Sequence, residues 1–415
     1  MQTLMRGCVA LWMLLFFGTR AQAQEWTRFR GPNGAGRSAA SSIPIPFTDA
    51  DELWRVTLPG IGHSSPVLWG NRIFLTSAEN HRGKRHLICL NAADGKTLWT
   101  RSYDFTPYHT HEFNNSASAT PTVDAHFVYV LWPAPEAFLV LALDHNGREV
   151  WRRNLGPYPT QHGGSASPIV VGETLIVTKE PEDETGAIYG LNRKTGAELW
   201  KRERYSKSAP YSTPLLYQPK NGPAEVIFSS MSCGLTSLNP QTGALNWEIK
   251  DLFRNRCVSS PVRVGDLVFV TAGNGAGDRQ AYAVQPGTKA KAPQIVYKMT
   301  RDVSYVPTPI VVGNRLYCWG DNGIVTCYEA ETGKPLWTER VGGRFFGSPV
   351  CLNGRLLAMS AQGALIAIEA SDSFKLVGRM KLGDSSHATP AIASETLYLR
   401  TEHALIAIGG KKSRP

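Results

Sequence analysis

Ser167-Pro168-Ile169-Val170-Val171-Gly172-Glu173-Thr174-Leu175-Ile176-Val177-Thr178 is the stretch on which the fold turns. Two β-branched runs flank a glycine, the pattern of a short hairpin. Further on, Asn192-Arg193-Lys194-Thr195-Gly196-Ala197-Glu198-Leu199-Trp200 supplies a second turn, with a glycine able to take positive φ and a tryptophan on the returning strand. The same order recurs along the chain. Ser or Thr followed by Pro opens an apolar run at Ser65-Pro66, Thr120-Pro121, Ser167-Pro168, Thr213-Pro214, Ser260-Pro261, Thr308-Pro309, Ser348-Pro349 and Thr389-Pro390, the prolines standing 40 to 55 residues apart. Glycine and tryptophan keep a spacing of four at Gly95 and Trp99, Gly147 and Trp151, Gly196 and Trp200, Gly243 and Trp247, and Gly333 and Trp337, while the fifth and seventh copies lack the tryptophan. Fixed spacing means fixed geometry.

A repeat of this length with four short strands has the period of propeller blades. One such sheet has two faces to cover and cannot stand alone; eight packed radially cover one another. The expected fold is therefore all-β, an eight-bladed β-propeller of four-stranded antiparallel blades. The last copy ends short of an outer strand, and Leu53-Trp54-Arg55-Val56 stands unpaired before the first. The N-terminal strand is expected to join the last sheet and close the ring, which removes an exposed edge.

Residues 1–23 read as a signal peptide, with Arg6, an apolar run from Val9 to Phe17, and Ala21-Gln22-Ala23. Cys8 lacks the small-residue context of a lipoprotein site, so no lipid anchor is expected. Residues 24–50 form a lead-in, 51–409 the propeller, and 410–415 a basic tail. No later stretch approaches the ~18 apolar residues of a membrane helix, which points to a periplasmic or secreted, monomeric protein. The 415 residues, 42% of them hydrophobic, exclude a disordered chain, a collagen and a coiled coil. Without Arg6 and Arg20 the formal charge falls from +10 to +8, a solvated basic surface in a compartment without nucleic acid. Six cysteines remain, none in a C-x-x-C pair, so metal, haem and redox motifs are unsupported. An oxidising compartment permits disulfides, and one hairpin brings Cys318 near Cys327, but as diagonal neighbours and not directly opposed, which weighs against a bridge between them.

The Thr-Gly turns and their tryptophans, in Asn192 to Trp200 and in Glu329-Ala330-Glu331-Thr332-Gly333-Lys334-Pro335-Leu336-Trp337, resemble the A-x-D-x-x-T-G-x-x-x-W motif of the pyrroloquinoline quinone (PQQ) repeat superfamily. The resemblance covers about residues 50 to 408, and Trp26-Thr27-Arg28-Phe29-Arg30-Gly31-Pro32-Asn33-Gly34 is similar to the lead-in of exported PQQ-like propellers. It implies the fold more than an activity, because the motif packs blades together. One branch, the quinoprotein dehydrogenases, holds PQQ and calcium on the axis, with a catalytic Asp; its alcohol-oxidising members commonly add a disulfide between adjacent cysteines and long insertions, and this chain has neither. The other, the assembly factor BamB, is a bare ring that holds protein partners and catalyses nothing. The chain is closer to the second in size. Its expected role is an exported non-catalytic scaffold or binding module in the cell envelope, with no cofactor. The alternative is a PQQ- and calcium-dependent dehydrogenase of alcohols or sugars, and a third possibility is carbohydrate binding.

Antiparallel strands place the blade-to-blade connections and the loops between second and third strands at one end of the ring. The residues three before each proline should face the axis there: His63, Ser118, Ser165, Tyr211, Val258, Val306, Phe346 and His387. His63, Tyr211, Phe346 and His387 are the candidate rim-binding residues. His63 and His387 lie on adjacent blades, as a metal or proton-transfer pair or as ordinary hydrogen-bonded histidines. Arg254, Arg256 and Arg344 would suit the carboxylates of PQQ if it binds. His109-Thr110-His111-Glu112 offers metal-type side chains on a loop but no third firm ligand, and no metal site is expected. The basic stretch from Asn80 to His86 and the acidic one from Glu180 to Glu184 are expected as charged rim loops. Gly273-Asn274-Gly275-Ala276-Gly277 is a loop tip without the strand-to-helix setting of a phosphate loop. No catalytic residue is assigned.

Overall fold

The computed structural model describes residues 26–288 and 290–409; the expected signal peptide and basic tail lie outside the described residues. The strands form eight antiparallel sheets of four, one carrying a fifth, short strand. Each Ser/Thr-Pro pair immediately precedes the innermost strand of a blade, from Val67–Trp69 in blade one to Ala391–Ala393 in blade eight. The ring closes through Glu52–Thr57, which pairs antiparallel with Ala404–Gly409 and sets Trp54 opposite Ala407.

The glycine-to-tryptophan spacing locks one blade to the next. Trp54, Trp99, Trp151 and Trp200 reach over the turn of the following blade: Trp54 Nε1 donates to the carbonyl of Ala92 at 3.1 Å, Trp99 to His145 at 2.9 Å, Trp151 to Arg193 at 3.0 Å and Trp200 to Pro240 at 3.1 Å, whereas Trp247 donates to Glu225 of its own blade at 2.9 Å. The ring lies against the glycine of that turn. A Cβ added to Gly196, where φ is +71°, would stand 2.6 Å from the Trp151 ring. The glycine is thus required twice, for its backbone conformation and for the space it leaves. Blade five, which lacks the tryptophan, has Tyr297 in its place, and its hydroxyl donates to the Ala330 carbonyl at 2.6 Å.

Every outer strand carries one extra residue just before that position, which blade seven fills with Gly378 in place of an aromatic, so the pairing register slips there in all eight described blades. Leu53, Leu98, Val150, Leu199, Val296 and Leu336 are the extra residues in six of them, and they are exposed. A bulge at this point twists the outer edge and spoils it as a template for another strand.

The Ser/Thr of the Ser/Thr-Pro pairs forms a belt around the axis. The N–H of Ser65 donates to Thr120 Oγ1 at 2.9 Å, Thr120 to Ser167 at 3.0 Å, Ser167 to Thr213 at 3.3 Å, Thr213 to Ser260 at 3.0 Å, Ser260 to Thr308 at 3.0 Å, Thr308 to Ser348 at 2.9 Å and Ser348 to Thr389 at 2.9 Å. A proline follows because the next N–H has no partner to meet. The eighth link is missing: Ser65 Oγ is buried without a partner. There the fully buried Arg400 ties blade eight to blade one by donating to the Ser64 carbonyl at 2.8 Å.

The lead-in enters the ring. The Trp26 and Thr27 carbonyls accept from the N–H groups of Leu68 and Val123 on two innermost strands, and Arg37–Ser38 lies parallel to Val350–Leu352 of blade seven. Arg28 donates to the Pro214 carbonyl at 2.7 Å and Arg30 to that of Pro309 at 3.0 Å. One segment thereby touches blades one, two, four, six and seven, and plugs the axial channel. It then leaves between blades seven and eight, where Ile43 and Ile45 are buried in one apolar cluster with Trp26.

Cys318 and Cys327 form no bridge. Cys318 pairs with Thr326 and Cys327 with Tyr317, an offset of one residue that puts the two side chains on opposite faces of the sheet. They belong to different apolar clusters, and all six described cysteines are free.

Candidate functional site: a blind funnel on the ring axis

The residues that begin the eight innermost strands surround a cavity of about 790 Å³. All eight side chains three before the prolines line it, and so do seven belt hydroxyls, from Thr120 to Thr389. Phe29, on the lead-in, closes the floor. The channel is therefore a blind funnel, open where the blade-to-blade connections lie and stoppered from the far end.

On one wall His63 and His387 meet with ring centres 4.5 Å apart, and Phe346 stands 4.5 Å from His387. Phe113 reaches across from the connection between blades one and two to stack on Phe346 at 4.6 Å. Burial, then the charges of His387 and Arg400, push the His63 pKa well below its ordinary value. Burial lowers His387 as well. At neutral pH the pair is uncharged and serves as an aromatic wall.

Tyr211 lies opposite, accepting from Arg256 Nη1 at 3.0 Å, and burial pushes its pKa up to about 12. The three candidate arginines all line the funnel, yet they are differently engaged. Arg256 is committed to Glu182 at 2.7 Å, to Tyr211 and to Ser208. Arg254 has its nearest carboxylate, Asp278, at 3.9 Å. Arg344 lies 4.5 Å from the centre of the Phe113 ring and 5.4 Å from that of Phe346, with no ion pair among the described residues.

The two expected charged rim loops are corrected in part: His81, Arg82, Lys84, Asp183 and Glu184 are exposed, but Arg85, His86 and Glu180 are buried. Arg85 and His86 sit inside a strand, Arg85 2% exposed and within 5.1 Å of the Trp132 ring centre, His86 bonded to Glu79 and Ser102. Glu180, 1% exposed, accepts from Arg204 at 3.1 Å and Ser230 at 2.7 Å. Glu180 and Arg204 satisfy each other in the interior, with Ser230 of the next blade, while Arg85 reaches across to the Pro133 carbonyl and the Trp132 ring of blade two. Of the His109 to Glu112 loop, His111 lines the funnel, its ring 5.0 Å from that of His162, and His109 and Glu112 face solvent. Of the loop tip, Gly273, Asn274 and Gly275 reach the funnel.

Beneath the floor the plug buries two guanidinium groups. Desolvation lowers Arg28 to about 10 and Arg30 to about 9. Neither has a carboxylate partner among the described residues, and Arg28 Nε, Arg30 Nε and Arg30 Nη1 have no hydrogen-bond partner at all. The sequence offered no sign of them beyond the Arg28 to Arg30 spacing within the lead-in.

The funnel's donor set does not suit calcium, which takes six to eight oxygens, carboxylates prominent among them. Among the described residues Asp321 is the one carboxylate that lines it, and Arg279 holds it at 3.0 Å. Asn114, Asn255 and Asn274 use their amides on His162, Asp278 and one another. Among the described residues, the only three His, Cys, Asp or Glu side chains whose ligand atoms gather within 4.8 Å are Asp384, Glu402 and His403 on the outer rim of blade eight. There the Asp384 carboxylate already accepts from the N–H groups of Ser385 and His403. A quinone cofactor held through calcium is therefore not what these residues are arranged to bind.

The family model described as outer membrane protein assembly factor BamB matches residues 47–211, 117–296 and 298–412. The BamB of Burkholderia pseudomallei is 23% identical over 88% of this chain and 90% of its own length. Among solved structures, BamB from Moraxella catarrhalis superposes with a TM-score of 0.61 at 14% identity, covering 87% of this chain and 99% of that one. Quinohemoprotein alcohol dehydrogenase from Comamonas testosteroni gives 0.68 at 11% identity, over 94% and 82%; at such identities the likeness is one of fold. Among the described residues no helix is long and apolar enough to cross a membrane. With the three matches spanning nearly the whole ring, the chain belongs to the family of PQQ-repeat propellers that the BamB model describes.

Proposed function

We propose that this protein is an exported, non-catalytic propeller that holds protein partners in the cell envelope, presenting the funnel mouth and the blade connections around it. The observation that carries this reading is the economy of the ring. Eight four-stranded blades, a closing strand and an axial plug account for the described chain, and the funnel gathers cations and aromatics in place of a calcium cage. Family membership supports it, since the matched model and relatives bear the name of an assembly factor. His63, Tyr211, Phe346 and His387 serve as contact residues on the funnel wall.

A photo-crosslinking residue at Phe346, expressed in the source cells, is expected to give discrete protein adducts from the envelope. The same residue at Arg153, on the outer strand Glu149–Asn154 of blade two, is expected to give none of them. Dye reduction by alcohols or sugars after loading with PQQ and calcium, abolished by Arg256→Ala and Arg344→Ala, would instead establish a dehydrogenase.

A further inference from the structure

We propose that the funnel receives an acidic segment of a partner protein, its carboxylates held by Arg344 and Arg254 at the mouth and its carbonyls by the hydroxyl belt below. This rests on the protein-binding reading above and names the chemistry of the partner.

The charge arithmetic is one-sided. Among the described residues Lys207, Arg254, Arg256 and Arg344 line the cavity against Asp321 alone. Glu182 neutralises Arg256, Glu184 pairs with Lys207 at 3.3 Å, and Arg279 neutralises Asp321. Arg344 is left without a counter-charge among the described residues, and Arg254 has only Asp278 at 3.9 Å. Arg28 and Arg30 add two buried cations under the floor, bonded only to prolyl carbonyls. Arg28 and Arg30 are buried, where a charge is ordinarily paired, while Arg254 and Arg344 are exposed at the mouth; a blind funnel focuses the field of all four. The missing counter-charge comes from outside.

The belt points the same way by an independent route. Each of its seven lining hydroxyls accepts a backbone N–H from the preceding blade, which uses the oxygen and leaves the hydroxyl proton. Among the described residues none of these seven donates to a protein acceptor. The floor is consequently a ring of O–H donors above two guanidinium groups, matched to a ligand made of acceptors. Peptide carbonyls and side-chain carboxylates are such acceptors, and a cavity of about 790 Å³ has room for several residues. Phe113 and Phe346 supply apolar flanks, and Arg344, lying on both, is pre-set as a planar fork for a carboxylate.

The test is fluorescence anisotropy at low salt with fluorescein-labelled hexaglutamate, with labelled hexalysine as contrast. The wild-type protein is expected to bind hexaglutamate saturably and to lose affinity as salt rises. The double variant Arg344→Glu, Arg254→Glu is expected to weaken it by about tenfold or more, and Arg153→Glu, on the outer wall, by less than about twofold. Among the described residues the guanidinium groups of Arg344 and Arg254 donate no hydrogen bond, so the double variant should keep its melting temperature. Three results would each overturn the proposal: no saturation up to about 1 mM peptide, equal weakening by Arg153→Glu, or citrate displacing the label as effectively as unlabelled peptide. Failure here with the Phe346 adducts retained removes the acidic partner and leaves the protein-binding role; hexaglutamate binding without adducts does the reverse.

Discussion

Seven of the eight seams between blades are closed by an aromatic side chain from an outer strand: Trp54, Trp99, Trp151, Trp200, Tyr297 and Trp337, each bonded to a carbonyl of the next blade, and Trp247, which packs against Val268 and Val284 of blade five. The seam between blades seven and eight has none. Where the ring should project, blade seven has Gly378, and a Cβ built there would meet Pro46 of the lead-in at 3.1 Å. Ile43 and Ile45 lie in the same cluster as Leu357 and Met380 of blade seven and Leu397 and Ile406 of blade eight. The same wedge-shaped gap is thus filled locally at seven places and at the eighth by a segment from the other end of the sequence. A propeller seam asks for apolar volume at one position, whatever part of the chain provides it.

The comparison breaks most decisively if the lead-in is removed. Deleting residues 26–46 withdraws Trp26, Ile43 and Ile45, all within 5% of full burial. At roughly 3 kcal/mol per large buried side chain the loss is about 9 kcal/mol, comparable with the whole stability of many domains. The truncated chain is expected to melt without cooperativity or tens of degrees lower. A truncated protein with the parent melting temperature would make the lead-in an appendage.

A pair of glycines sharpens the regular seams. Gly196 and Gly172 both have positive φ, +71° and +59°, but only Gly196 faces a neighbouring tryptophan; nothing lies within 4 Å of a Cβ at Gly172. Alanine at Gly172 is expected to cost about 1 kcal/mol for the left-handed backbone. Alanine at Gly196 should cost about 2 kcal/mol more for the clash with Trp151. Equal costs in urea denaturation would reduce the motif's glycine to a turn residue.

The repeat was legible because its period, its Ser/Thr-Pro pairs and its Gly-to-Trp spacing are local in sequence. What each spacing is for was not, since Gly196 meets Trp151 of the blade before it and Ser260 meets Thr213 of another blade. Tyr297 was overlooked because blade five has no Thr-Gly turn from which to count. The apolar Ile43, Ile45 and Phe47 were the sole hint that the lead-in packs inside. The candidate rim residues could be placed on the funnel from strand direction alone. The pairing of Arg256 with Glu182 and the isolation of Arg344 could not, because both depend on which loops fold over the mouth.

The belt offers a finer contrast between a complete link and the missing one. Ser260→Ala leaves the buried N–H of Thr213 without an acceptor and is expected to cost about 1 to 3 kcal/mol. Ser65→Ala removes a hydroxyl that has no partner and should change stability by less than about 0.5 kcal/mol. A large loss at Ser65 in the same denaturation series would mean that the ring is closed there too.

The smallest effect belongs to the same open link, where His63, His387 and Arg400 gather. Burial and the adjacent positive groups hold the His63 pKa well below the ordinary 6.5, and burial lowers His387. Glu402 is the nearby carboxylate that opposes this at His387. On acidification the unfolded chain takes up these protons first, so the folded ring is favoured fully above about pH 7 and progressively less as the pH falls through the unfolded histidine value. The melting temperature is expected to drop between about pH 7 and pH 5, and His63→Gln should flatten that slope. The Trp151 seam has no histidine at its lock, so damage there should shift the whole curve without changing its shape. A slope unaltered by His63→Gln would place the acid sensitivity elsewhere in the ring and free the open link of any part in it.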